Sequence, residues 1–294
     1  MHHGKRSSRQ RQPASGAWLS VIRSVRGDPA PRCQVSPSPG EPIAATANRH
    51  QGAFAAAVII PTILRPSLVP AALSVFQQNV DKPCQLLIGV DKPIGEASLL
   101  NEVMQACPPN WSVMVFDPGY STSVRHGGIH PARDGGALRT ILSYAANSRY
   151  LAYLDDDNWW APDHLSTLLK AISGVDYAYG YRWFVEAASD QPACVDSWES
   201  VGPEQGIFAQ RFGGFIDPNT LMLDKTRCEP VLRLWSIPLR GDPKGMSADR
   251  NVFHILNTRY TGRCTGVSSC FYRMDPQDGL HAKRRERITK AQGG

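Results

Sequence analysis

Tyr150-Leu151-Ala152-Tyr153-Leu154-Asp155-Asp156-Asp157-Asn158 is the stretch on which the reading of the fold turns. Apolar residues suited to a buried strand run without a break into three acids. In extended chain successive side chains alternate, so Asp155 and Asp157 are expected on one side and Asp156 on the other. Carboxylates crowded at one point repel unless a cation lies between them. Hard divalent ions such as Mg²⁺ or Mn²⁺ take oxygen ligands and complete their shell with water and substrate phosphates. A diphosphate carried on such an ion is the ligand this pattern suggests; a solvated acidic turn capping the helix that starts near Pro162 is the alternative.

Working back from this stretch, Leu138, Ile141, Leu142 and Ala145 mark one face of a helix starting near Gly136. Before it come a Gly/His/Arg loop at 118–134 and a strand from Val113 to Phe116 ending at Asp117. A helix over 96–106 follows the strand Leu86 to Val90, which ends at Asp91. Val69, Ala72, Leu73 and Phe76 fall at i, i+3, i+4 and i+7 after the first buried strand, Ala57 to Ile60. Downstream, Leu165, Leu168, Leu169 and Ile172 form another apolar stripe.

The order is β-α-β-α-β-α-β-α, which predicts an α/β fold with a mainly parallel central sheet between helical layers. Such sheets bind ligands in the crevice at the carboxyl ends of their strands. Three of the four expected strands end on acid, at Asp91, Asp117 and Asp155/Asp157. Past residue 176 the pattern loosens into an aromatic strand Tyr177 to Val185, a segment Asn219 to Leu223, and helices at 226–236 and 247–256. This half reads as a looser acceptor-side region packed on the sheet.

The chain has 294 residues, 42% of them hydrophobic, enough for one good core with a smaller subdomain. That composition excludes a collagen-like repeat and a wholly disordered chain. The net charge of +6 suggests an anionic partner, but it is unevenly distributed. Residues 1–50 carry +6 and residues 281–294 carry +4, leaving −4 on 51–280. The expected organisation is therefore a basic flexible leader at 1–52, a domain at 53–280 divided near 175, and a basic tail at 281–294. Seven cysteines without a C-x-x-C pair read as reduced thiols of a cytoplasmic protein. The longest apolar stretch, Ala53 to Leu64, is too short to span a bilayer.

Several segments together resemble a known family. Val58-Ile59-Ile60-Pro61-Thr62, Arg65-Pro66 and Ala72-Leu73-Ser74-Val75-Phe76-Gln77-Gln78 look like the opening of family 2 glycosyltransferases of the GT-A (Rossmann-like) fold. Gly136-Ala137-Leu138-Arg139 and Tyr150 to Asp157 look like that family's helix and D-x-D strand. The similarity covers roughly 57–175 well and 176–256 loosely.

The resemblance implies a three-layer GT-A sandwich and a nucleotide-sugar donor. Pro61, Thr62, Arg65 and Asp91 would hold the nucleoside, and Arg139 a phosphate or nucleotide group. Asp155 would lie nearer the ribose and Asp157 on a divalent metal, Mn or Mg, with Asp155 beside it. Asp156 is counted with the substrate-binding residues. Asp249, in Ser247-Ala248-Asp249-Arg250, matches the general base, and His281 would join the metal. The implied reaction is an inverting single displacement onto a carbohydrate, lipid-linked or other hydroxyl acceptor. Two positions depart from the family pattern: Lys92-Pro93 follows Asp91, and Ala248 stands where a Glu usually precedes the base.

Taken singly, these residues also have plainer readings. Asp249 suits the first turn of a helix capped by Ser247. Arg139 could be a solvated helix residue, and His281 beside Lys283-Arg284-Arg285 a surface one. Arg125, His126 and Arg133 fit a flexible polar loop as well as a functional one. Trp159-Trp160 could stack on a sugar ring or pack in the core, and Trp183 and Trp198 divide the same way. Gly213-Gly214 could admit a donor sugar or simply mark a turn.

The same residues bear on other functions. A nucleotidyltransferase would show a Gly-rich phosphate loop after the first strand, and Pro61-Thr62-Ile63-Leu64-Arg65 contains no glycine. Specific nucleic-acid binding is not expected. Contact with an anionic membrane, at its inner face, would be an accessory of the basic ends. An inactive nucleotide-binding relative is the remaining alternative, given Ala248.

Overall fold

A computed structural model describes residues 46–47, 50, 52–91, 95–133, 135–242 and 244–292. Most of the expected leader, and Lys92-Pro93, lie outside the described residues. β1 (Thr46–Ala47) opens the described chain, and the four expected strands follow as β2 (Ala57–Thr62), β3 (Cys84–Val90), β4 (Trp111–Phe116) and β5 (Tyr150–Tyr153). They lie side by side in the order β4-β3-β2-β5, all parallel, with Val58 paired to Leu86 on one side and Ala152 on the other. Every residue of β2 and β3 is buried, as parallel strands covered on both faces require. β1 adds to the far edge antiparallel to β4.

The crossovers are helical, with α1 (Leu68–Phe76), α2 (Ser98–Ala106) and α3 (Gly136–Ala145) at the expected places. β6 (Trp159–Trp160) and α4 (His164–Ala171) come next. Two cores form, one on each face of the sheet. Val58, Ile60, Leu86 and Ile88 point to Leu68, Leu100 and Leu165 from α1, α2 and α4. Ile59 and Leu87 point to Leu142 of α3 and to Trp235, Phe253 and Leu256 from the second half. The alternation of a β-strand thus accounts for the two helical layers of the sandwich.

The second half is less loose than its sequence implies. β7 (Tyr177–Glu186) and β8 (Gln191–Val195) form a hairpin, and β9 (Gly202–Pro203) pairs with β10 (Gly214–Phe215) around α5 (Ala209–Phe212). β11 (Leu221–Asp224) runs antiparallel between β5 and β7, stitching the halves into one sheet. α6 (Glu229–Leu232) continues into a 3-10 turn at Arg233–Ser236, so the helix expected at 226–236 forms but tightens halfway, and α7 (Ala248–Arg259) matches expectation. β12 (Gly262–Arg273) has no counterpart in the sequence reading, yet it lies parallel to β7 and carries β6 on its other side. Six strands, β2, β3, β4, β5, β7 and β12, therefore run in one direction. The fold is the expected mainly parallel α/β arrangement of the GT-A type.

The segment read as a basic tail is a helix, α8 (His281–Gln292). Arg284 is buried in bonds to Glu199 and Asp278, and Ile288 joins Phe184, Trp198 and Met274 in a small third core. Arg285 pairs with Glu186, Lys290 with Glu286, and the Arg287 guanidinium lies over Trp198. Most of the charge expected on a free tail is therefore already partnered. Among the described residues no helix is long and apolar enough to cross a membrane.

Candidate active site

The carboxyl ends of β2, β3 and β5 meet where the sequence predicts. Gly135, at the N-cap of α3, has φ +70°, and a Cβ there would stand 2.4 Å from Pro61 Cβ. Only glycine lets the helix start so close over the end of β2. This contact carries Arg139, one turn into α3, to the acids that follow β5.

The three acids divide by burial. Asp156 is 6% exposed at its side chain, against 33% for Asp155 and 36% for Asp157. Asp156 accepts a 2.7 Å hydrogen bond from the Thr62 hydroxyl, which in turn accepts from Leu64 N–H at 2.8 Å. Leu64 is buried at φ +63°, uncommon for a residue with a Cβ. Thr62 and Asp156, both expected to touch substrate, thus brace the β2–α1 turn from beneath.

Asp155 and Asp157 stay half open, each against an arginine. Arg139 donates to Asp155 Oδ1, and its guanidinium lies 5.8 Å from the Trp235 ring centre. Arg65 donates to Asp157 at 2.6 Å and stands 3.5 Å from Asp156. Burial, reinforced by Asp155 and Asp156, still pushes the Asp157 carboxyl up to about 7, against the pull of Arg65. The cluster keeps more negative charge than its arginines offset.

Asp155 is fixed further by Asn219, which the sequence reading did not single out. Asn219 Oδ1 accepts the Asp155 backbone N–H at 2.6 Å, and its Nδ2 donates to Asp155 Oδ2 at 2.9 Å. The same Nδ2 donates to Asp217 Oδ1 at 2.6 Å. Asp217 accepts from Arg182, which also bonds Asp196 at 2.9 Å and Glu199 at 3.1 Å. Glu199 accepts in turn from Arg284 of α8 at 2.7 Å. Burial works against a charged Arg182, but Asp217, Glu199 and Asp196 hold it protonated. A continuous chain of charged groups, closed by the Asn219 amide, runs from the C-terminal helix to the first acid of the cluster.

Asp249 lies in the first turn of α7, only partly open to solvent, and accepts from Arg250 N–H at 2.7 Å. Burial pushes its carboxyl up to about 6; Asp217 adds to the rise, while Arg250 and Arg139 oppose it. Asp249 therefore shares Asp217 and Arg139 as electrostatic neighbours with Asp155. Ser247 does not cap α7 through its side chain, because its hydroxyl accepts from Leu239 N–H at 3.1 Å. The Arg250 guanidinium lies over Phe208, 4.1 Å from its ring centre.

Asp91 and His281 are the remaining expected residues. Asp91 is buried, and its Oδ1 accepts from the Thr122 N–H and hydroxyl, both at 2.8 Å, which ties the loop after β4 to the end of β3. His281 begins α8 and has a Nδ1 that is shut off from solvent and, among the described residues, lacks a hydrogen-bond partner. Among the described residues no group of three or more His, Cys, Asp or Glu is gathered to hold a metal. The set of Asp155, Asp157 and His281 is therefore not assembled. Asp155 and Asp157 nonetheless fit a hard divalent cation, since both are half-open oxygen donors and Asp157 retains uncompensated repulsion.

No family model matches the chain, and no curated protein matches it in sequence. Solved structures do share its fold. The S. aureus TarS 1-349 crystal structure aligns with a TM-score of 0.51 at 13% identity, covering 74% of this chain and 60% of that one. TarS 1-349 in complex with UDP-GlcNAc aligns at 0.51 and 12%, covering 76% and 60%. The mannosyltransferase PcManGT from Pyrobaculum calidifontis, in complex with GDP-Man and Mn²⁺, aligns at 0.51 and 13%, covering 81% and 61%. The chain thus spans about three fifths of each of these solved chains.

Proposed function

We propose that the chain transfers a sugar from a nucleoside-diphosphate donor to a hydroxyl acceptor, in the manner of family 2 glycosyltransferases. The observation that carries this reading is the convergence of Asp155 and Asp249 on Arg139 and Asp217, with Asp157 beside Asp155 on Arg65, at the carboxyl end of a GT-A type sheet. Structural neighbours bound to UDP-GlcNAc or GDP-Man support it.

Asp157, with Asp155 beside it, would hold a divalent cation such as Mn²⁺ or Mg²⁺, as the D-x-D reading implies. Such an ion, when bound, neutralises the charge developing on a departing diphosphate. Arg65 and Arg139, now closed on Asp157 and Asp155, are placed to turn to phosphate oxygens, which guanidinium forks suit. Pro61 and Asp91 frame the nucleoside side of the crevice, with Thr62 and Asp156 beneath it.

Asp249 is the base. It takes the proton of the acceptor hydroxyl onto a carboxylate oxygen as that hydroxyl attacks the anomeric carbon. Its raised pKa suits the task, because a base near the working pH is both ionised and strong enough to accept. One displacement with one base inverts the anomeric centre. Ala248 leaves this base without the acidic neighbour that the family usually places before it.

A donor screen tests the reading. UDP- and GDP-sugars are incubated with the full chain and Mn²⁺ or Mg²⁺, and release of nucleoside diphosphate is followed with and without simple glycoside acceptors. Metal-dependent release from at least one donor is expected. No release from any donor, or release of pyrophosphate instead, would sink the proposal.

A further inference from the structure

A cavity of about 400 Å³ opens beside Asp157, on the side of the acid cluster bounded by α1. The preceding mechanism does not use it. Its walls come from α1, from β6 and from the end of β12, with the β7–β8 turn contributing Asp190. Ser74 and Gln78 hold α1 in place: the Ser74 hydroxyl accepts from Trp160 N–H at 3.2 Å, and Gln78 Nε2 donates to Ala161 O at 2.8 Å. The cavity is therefore built on pinned elements.

Its chemistry is mixed in a specific way. Trp159 stacks on Phe271 with ring centres 5.5 Å apart and planes 17° from parallel, which fixes the indole while its remaining surface lines the cavity. Among the described residues nothing accepts from its indole N–H, whereas Trp160 and Trp183 donate theirs to Asn219 O and Ser268 O. The Arg273 guanidinium lies over the Trp159 ring, 5.9 Å from its centre, and pairs with Asp190 at 2.5 Å. Gln77 and Ser67 add groups that donate and accept along the rim.

We infer that this cavity binds a neutral sugar ring of a glycan. A pyranose presents apolar C–H groups to Trp159, Pro70 and Leu73, and hydroxyls that accept from the vacant Trp159 donor. Its hydroxyls can also donate to Asp190 and Gln77. Asp157 and Asp190 outnumber Arg273 in charge, which disfavours an acidic sugar. Asp249, sharing Asp217 and Arg139 with Asp155, belongs to a different part of the cluster. The cavity therefore takes a unit of the acceptor away from the reacting hydroxyl, an assignment that rests on the transferase reading, whereas the binding itself does not.

The test uses the full chain with ¹⁵N-labelled tryptophan and follows the indole N–H resonances while methyl glycosides of glucose, galactose, mannose and N-acetylglucosamine are added. The Trp159 signal is identified by its loss in Trp159→Phe. At least one glycoside is expected to shift it saturably. Gln77→Trp, which fills the mouth from an exposed helix end, is expected to abolish that shift and to leave UDP and GDP binding with Mn²⁺ as in the parent chain. No shift with any glycoside, an unchanged shift in Gln77→Trp, or a larger shift with uridine or guanosine alone would overturn the assignment. A failed transferase reading would appear instead as absent nucleotide binding alongside intact glycoside shifts.

Discussion

Asn219 clamps Asp155 at both ends, its carbonyl oxygen taking the backbone N–H and its amide nitrogen donating to Oδ2 at 2.9 Å. One side chain thus sets where the acid cluster leaves β5 and which way its first carboxylate points. It stands on the three-residue turn Pro218–Thr220 that delivers the chain into β11. The antiparallel strand between the two halves is therefore what aligns the site.

Replacing Asn219 tests that alignment. Asn219→Ala leaves the Asp155 N–H without its acceptor and Asp155 Oδ2 without its donor, while Asp217 keeps Arg182 and the residue-219 N–H, at a cost of about 1–3 kcal/mol. Asn219→Asp keeps the acceptor for the N–H but places a third carboxylate between Asp155 and Asp217. Thermal unfolding is expected to show the larger loss for Asn219→Asp at pH 8, with the difference narrowing on acidification. Equal loss at both pH values would contradict the clamp.

The buried arginines make a second prediction. Arg284→Ala removes the partner of Asp278 and one of the two partners of Glu199. Breaking a buried ion pair from one side costs about 3–5 kcal/mol. The melting temperature should fall by several degrees, and α8 should become open to protease. Deletion of 281–294 should do the same, whereas a solvated tail would be lost without effect.

The sequence made the first four strands, the intervening helices and the acid cluster legible because each buried strand is apolar throughout and each helix keeps its 3.6-residue stripe. β12 was illegible for a physical reason. Its residues Gly262 to Ser269 are mostly small or polar, and its burial comes from neighbours β7 and β6 rather than from its own composition. α8 was hidden likewise, since Lys283-Arg284-Arg285 looks like surface until Glu199 and Asp278 arrive from 85 and 6 residues away. Of the site, Asp155, Asp157, Arg65, Arg139 and Asp249 could be nominated from chain order. Asn219 and Asp217 could not, although a polar turn immediately before a buried strand, Asp217-Pro218-Asn219-Thr220, is the signal that would find them.

Asp249 yields a prediction in pH. Its folded pKa, about 6, lies above the ordinary 3.8, so the fold favours the protonated form. This group therefore destabilises the protein at pH above 6, and the penalty fades as pH falls from 6 towards 3.8. Asp249→Asn should stabilise the protein at pH 8 by about 1–2 kcal/mol after solvent screening, and by nothing at pH 4. The same variant should lose transfer by about 10²–10⁴-fold while still binding donor. Parent kcat/KM should fall below about pH 6. A variant that is stabilised yet fully active would remove Asp249 as the base.

Gly135 supplies a prediction in backbone geometry. Gly135→Ala meets Pro61 Cβ at 2.4 Å in a left-handed conformation, and α3 must move to accept it. A loss of about 1–3 kcal/mol is expected. Because α3 carries Arg139, donor affinity should fall with stability. Gly119→Ala, also at positive φ but with open space around it, should cost stability without affecting the donor.

The central claim, a diphosphate held through a divalent cation on Asp157, is tested most directly by calorimetric titration of UDP and GDP into the full chain with and without Mn²⁺. Heat that requires Mn²⁺, and that disappears in Asp157→Ala while the melting temperature holds, is the predicted result. Binding of equal affinity without the metal, or undiminished binding by Asp157→Ala, would contradict it.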